Sequence, residues 1–259
     1  MIRGVYISAT GMVAETIRTD TIANNLANVN TTGYKKDTAV NKSFGDMLIH
    51  RINDGESAPY IGSLGLGTAI DEIGRSPDQG SFIQTENPLN LAIEGSGYFA
   101  VDTPSGTRYT RDGTFSINAQ GQLVTMDGNP VLGENGPIQI DFENSTLANL
   151  NIDSTGRITA TAVDGLGIAE LGNLQLASFT DERQLLKQGN NLYNADNAVG
   201  GPLPFTGTVI QGYLEQSNTN AISEMVNLIA TYRAYEINSK AVRTQDEMLG
   251  KAVTEVGKV

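Results

Sequence analysis

The chain has 259 residues, 39% of them hydrophobic and 18% charged, so it can bury a core, and its 29 glycines favour turn-rich β structure over an all-helical body. The formal net charge of −12 lies almost wholly in the middle: residues 1–51 carry a net +2, residues 52–212 a net −13 and residues 213–259 a net −1. The acidic middle repels phosphates and so disfavours nucleic acid, and the absence of Cys excludes disulfides, thiolate catalysis and Cys-based metal sites.

The first segment reads as a helix. Ile2, Val5, Ala9, Met12, Thr16, Thr19, Ala23 and Leu26 step by three and four and make a mostly apolar stripe. Gly4 and Gly11 each weaken that helix by about 1 kcal/mol relative to Ala, so it needs a packing partner. It runs into the Asn-rich stretch Asn24–Asn30, and Thr31-Thr32-Gly33 is a stop signal. Gly4–Ala14 weakly mimics a signal peptide, but its polar and glycine positions dilute it and no convincing cleavage site follows. No stretch approaches the ~20 continuous apolar residues of a membrane span.

Residues 34–80 are expected to be an extended connector, with Gly62, Gly65 and Gly67 close together but without the Lys-Ser/Thr of a phosphate-gripping loop. Residues 81–212 read as all-β. Tyr98-Phe99-Ala100-Val101 is a short apolar run between Gly97 and the Pro104-Ser105-Gly106 turn. Ile117–Leu123 and Ile152–Ile158 share one pattern: apolar residue, Asn or Asp, Gly at a turn, apolar residue. Both are expected to be hairpins.

The C-terminal segment is the clearest helix. From Met225, steps of three and four visit Leu228, Tyr232, Tyr235, Ser239, Val242, Asp246, Leu249, Val253 and Val256. Ile222, Val226 and Ile229 widen the stripe at its start, Asn220 is the expected N-cap and Glu224 sits in the first turn. Asn220 to Val256 would span about 55 Å at 1.5 Å per residue, a length that argues for coiled-coil packing.

Nothing here nominates a catalytic centre. His50 is the single histidine and reads as a solvated side chain; no nucleophile elbow accompanies it. The acidic turns at Asp112-Gly113 and Asp153–Gly156 lack the alternating oxygens and closing Glu of a calcium loop. Scattered carboxylates do not define the paired acids of a glycosidase.

Four motifs, in chain order, carry a resemblance. Ile22–Lys35, Gly95–Phe99, Tyr109–Phe115 and Gly212–Asn220 with Arg233–Val242 resemble the signatures of the bacterial flagellar rod and hook proteins. The resemblance implies a non-enzymatic, cofactor-free and metal-free structural subunit of the flagellar basal body, exported without a cleaved signal. It would polymerise into a tube that transmits torque from motor to hook. Position along the rod, proximal or distal, stays open. Partners would be further copies, other rod and hook proteins, the export apparatus and surrounding ring proteins.

The expected fold is therefore α+β. Residues 1–33 and 213–259 would form a coiled-coil-like helical assembly domain, 34–80 the connector and 81–212 an inserted β domain. The inner seam would comprise Met225, Leu228, Tyr232, Tyr235, Val242 and Leu249, with Val5, Met12 and Leu26 opposite. Asn24, Asn25, Asn28 and Gly33 would shape the signature turn, because Asn and Gly tolerate left-handed backbone. The alternatives are a cell-wall-binding or adhesin-type module on a helical stalk, and a wall-cutting hydrolase.

Overall fold

A computed structural model describes residues 2–50, 60–140, 145–162, 168–195 and 201–257. It is α+β, with a helix at each end and strands between. The chain forms two units. One contains residues 1–27, 37–74 and 220–259; the other contains residues 28–36 and 75–219. The connector is thus shared: residues 37–74 join the helices, and the turn after the first helix joins the β body.

In the helical unit, α1 (Ile2–Ala27) and α2 (Ala221–Val256) pack against each other. At its start, α2 is capped as its sequence predicts, since the Asn220 side chain accepts a hydrogen bond from the Ser223 N–H. The helices run antiparallel, with Gly4 of α1 against Gln245 and Gly11 against Asn238. A Cβ at either glycine would collide with the amide it faces, so the two residues that weaken α1 are those that let α2 approach. No helix among the described residues is long and apolar enough to cross a membrane.

Four strands complete this unit: β1 (Asp37–Ser43), β2 (Met47–His50), β3 (Tyr60–Leu64) and β4 (Thr68–Arg75). β1 pairs with β4, and β2 pairs with β3 in antiparallel register from Met47↔Leu64. Within the expected extended connector, the described residues thus include two paired ribbons. The placement of the His50 side chain lies outside the described residues.

The β unit begins with β5 (Phe82–Gln84), β6 (Leu91–Glu94), β7 (Tyr98–Thr103) and β8 (Gly106–Thr110). The hairpin of β9 (Phe115–Ile117) and β10 (Leu123–Thr125) and the short pair β11 (Leu132–Gly133) and β12 (Gly136–Pro137) follow. β13 (Ser145–Ile152), β14 (Arg157–Ala162) and β15 (Ile168–Asn173) form a three-stranded antiparallel meander. β16 (Leu176–Ala177), β17 (Leu186–Gly189) and β18 (Leu192–Asn194) join β7 and β8 in a five-stranded sheet of order β16-β7-β8-β18-β17. β19 (Thr208–Gln211) pairs with β6, and β20 (Tyr213–Glu215) pairs with β5. Both expected hairpins form, turning at Gly121 between β9 and β10 and at Gly156 between β13 and β14.

The main core of this unit is built on Leu91, Ile93, Phe99, Val101, Phe115, Leu123, Val131 and Ile158, all essentially inaccessible to water. A second cluster gathers Tyr98, Tyr109, Phe179, Leu185 and Tyr193, with edge-to-face ring contacts of Tyr98 to Phe179 and to Tyr193.

Candidate functional site

Two parts of the molecule stand out, one in each unit. In the β unit, residues from three of the four sequence motifs converge on one buried carboxylate. Lys35 follows the signature turn and Glu215 ends β20. Lys35 is 1% exposed and Glu215 2%. The Lys35 Nζ donates to Glu215 Oε1 at 2.6 Å and to the Asp78 carbonyl at 2.8 Å. Arg111 lies on the other side, its Nη1 3.4 Å from Glu215 Oε2 and its Nη2 donating to the Gly95 carbonyl at 2.7 Å. Burial pulls the Lys35 ammonium below the ordinary lysine range, and the Glu215 carboxylate opposes that pull.

Backbone bonds tie the same segments together. The Gly33 N–H donates to the Glu215 carbonyl at 2.8 Å, and the Lys36 N–H donates to the Asn218 side chain at 2.8 Å. Thr32 Oγ1 donates to Asp112 Oδ1 at 2.7 Å. Gly33 has φ +65°, and a Cβ there would strike the Arg111 backbone. Hence the chain entering the β unit after α1 and the chain leaving it before α2 are fastened side by side.

In the helical unit, the Asn25 side chain brackets one peptide of β1. Its Nδ2 donates to the Asp37 carbonyl at 2.7 Å and its Oδ1 accepts from the Asp37 N–H at 2.9 Å. Asn24 is exposed, Asn28 half-buried.

The expected seam residues do not share one environment. Leu228, Val242 and Leu249 are half-buried, as are Val5, Met12 and Leu26, whereas Met225, Tyr232 and Tyr235 are exposed. The side of α2 facing α1 carries Asn238 and Gln245, and steps of seven back along the helix give the buried Thr231 and Glu224. α2 therefore meets α1 with a mixed face, on which the half-buried Val242 and Leu249 stand beside Asn238 and Gln245. The opposite side presents Ile222, Met225, Val226, Ile229 and Tyr232 to water, Ile222 being 76% exposed. Arg233, Glu236 and Lys240 then take over, with a 2.8 Å ion pair between Glu236 and Lys240. The Lys240 hydrogen bond and charge hold the Glu236 carboxyl below its ordinary range.

α1 has a second apolar surface. Tyr6, Ala9, Thr10, Val13, Ala14 and Ile17 line an open groove of about 420 Å³, walled on the other side by Phe44 and Thr68–Ile70. Tyr6 is 65% and Val13 61% exposed. A loop comes close to α1 here because Gly67, at φ +124°, has no Cβ to strike Thr10.

Comparison with known proteins assigns the chain to a class. Residues 5–35 match the flagella basal body rod protein model. Residues 92–160 match that of the flagellar hook protein FlgE/F/G D1 domain, and residues 210–255 that of the flagellar basal body rod FlgEFG protein C-terminal region. The chain belongs to the flagellar basal-body rod protein family and is a structural subunit of the flagellar basal body. It is 39% identical to the flagellar basal-body rod protein FlgG of Buchnera aphidicola subsp. Acyrthosiphon pisum, over 97% of this chain and 98% of that one. It is 38% identical to FlgG of Agrobacterium fabrum, over 95% and 96%. Against the flagellar hook-basal body complex protein FlhO of Bacillus subtilis the identity is 32% over both full lengths. This membership favours the rod subunit over the cell-wall-binding or adhesin-type module that the sequence left open.

Proposed function

We propose that the chain builds the rod by polymerising through its terminal helices, with α1 and α2 forming a coiled-coil-like pair that packs against the pairs of neighbouring copies. The observation that carries this reading is the placement of apolar side chains on α2. A helix that served only its own chain would bury its most apolar side; this one buries Thr231 and Glu224, half-buries Asn238 and Gln245 no less than Leu228, Val242 and Leu249, and leaves Ile222, Val226, Ile229 and Tyr232 in water. The seven-residue spacing of Gly4 and Gly11, and of Gln245 and Asn238, suits a coiled-coil pair.

The role is mechanical. Covering the exposed face would contribute about 25 cal/mol per Å² of apolar area, and the same contact repeated on every subunit stiffens a tube that carries torque. The fastened entry and exit segments would pass load between the helices and the β body. The same reading places 1–33 with 213–259 in assembly, and extends to export through the flagellar apparatus and to contact with surrounding ring proteins; the family motifs support it. No cofactor or metal enters this role.

Tyr232→Asp tests it. Basal bodies from cells carrying the variant should lack this subunit, and motility should be lost, while the purified variant keeps the wild-type unfolding midpoint. Normal rods built from Tyr232→Asp would contradict the reading.

A further inference from the structure

The two apolar surfaces of the helical unit lie on opposite sides of the helix pair. On α1, Tyr6 and Val13 each stand two residues beyond a glycine that faces α2, a turn of about 200° around the helix axis. On α2, Ile222, Val226 and Ile229 lie opposite Thr231 and Asn238. One copy therefore cannot bring its own row into its own groove. Resting on the rod reading above, we propose that the α1 groove of one copy receives the Ile222–Tyr232 row of a second copy of this chain.

Length, charge and spacing agree with that occupant. From Tyr6 to Ile17 the groove runs about 16 Å along α1, and the row from Ile222 to Tyr232 runs about 15 Å. No charged side chain lines the groove, and none stands in the row; the first charge on that face of α2 is Arg233, just past its end. Groove positions 6, 10, 13 and 17 and row positions 222, 225, 229 and 232 both step by three and four, the periodicity by which ridges fit grooves between helices. A row on one side and a groove on the other make a head-to-tail contact that repeats without closing, as an extended polymer requires.

The lack of Cys makes the contact directly readable. The chain would carry Val13→Cys with Ile229→Cys, and basal bodies from cells producing it would be treated with a short thiol cross-linker. The expected result is a ladder of covalent multimers, with no ladder from Val13→Cys paired with Val253→Cys. Normal rods without a 13–229 ladder, or with a 13–253 ladder in its place, would overturn the groove assignment and leave the rod reading intact. Absence of the wild-type chain from basal bodies would instead overturn the rod reading. A charge pair gives a second readout: Val13→Lys and Ile229→Glu should each abolish motility and together restore it, and failure to restore counts against the contact.

Discussion

The Lys35 ammonium and the Glu215 carboxylate, 180 residues apart in sequence, meet at 2.6 Å with neither exposed to water. One residue closes the first signature motif and the other lies within the last, so a single buried bond holds the two ends of the β unit where the chain leaves for the helices. Arg111 adds a second cation to the same carboxylate.

Glu215 is consequently the costly member to remove. Glu215→Leu leaves two buried cations without their anion and should destabilise the β unit by about 3–5 kcal/mol. Lys35→Met leaves Glu215 with Arg111 and should cost less. Denaturant unfolding of both variants checks the order; equal losses would show that the carboxylate is not the hub.

Gly33→Ala should lower stability by about 1–3 kcal/mol, because a non-glycine residue at φ +65° is strained and the added Cβ strikes the Arg111 backbone. Thermal unfolding measures this, and an unchanged midpoint would contradict the close approach.

The Asn25 bracket on Asp37 predicts that Asn25→Ala costs about 1–2 kcal/mol through two lost hydrogen bonds. Hydrogen exchange should show the Asp37 amide losing protection in the variant. Wild-type protection at that amide would refute the bracket.

Alkaline stability depends on Tyr98. Burial, aided by the Glu182 carboxylate, raises its pKa in the folded state, and burial raises that of Tyr109 as well. A group whose folded pKa lies above its unfolded value favours folding below the unfolded value, and that contribution is lost as pH climbs past it. Stability should therefore fall above about pH 10 as the unfolded tyrosines ionise. Lys35, with a lowered pKa, acts in the opposite sense just below its ordinary value. Tyr98→Phe should fall less steeply from pH 9.5 to 11 than the wild type, and parallel curves would argue against a buried, protonated Tyr98.

Much of this was legible in the chain. Periodicity and an N-cap residue announced α2 from Asn220 onward, and the turn chemistry at Gly121 and Gly156 announced two hairpins. The contacting side of α2 was legible in part: Leu228, Val242 and Leu249 of the expected seam are half-buried, whereas Met225, Tyr232 and Tyr235 are exposed. Periodicity marks the apolar stripe as the buried one, whereas here polar amides pack against glycines and much of the apolar stripe faces water. The seven-residue spacing of Gly4 and Gly11 was the available clue. The buried charges were equally silent, since Lys, Arg and Glu read as surface residues until a fold brings them together. The strands β1 to β4 were hidden because none of them alternates cleanly: β1 and β4 mix polar and apolar residues, and the apolar run Met47–Ile49 of β2 is too short to announce a strand.

The central claim is that the outward face of α2 is covered when the rod forms. In a chain without other thiols, Tyr232→Cys reports this through its reaction with a maleimide, in the purified monomer and in isolated basal bodies. The account predicts rapid labelling of the monomer and protection in the rod. Equal labelling of both would contradict it.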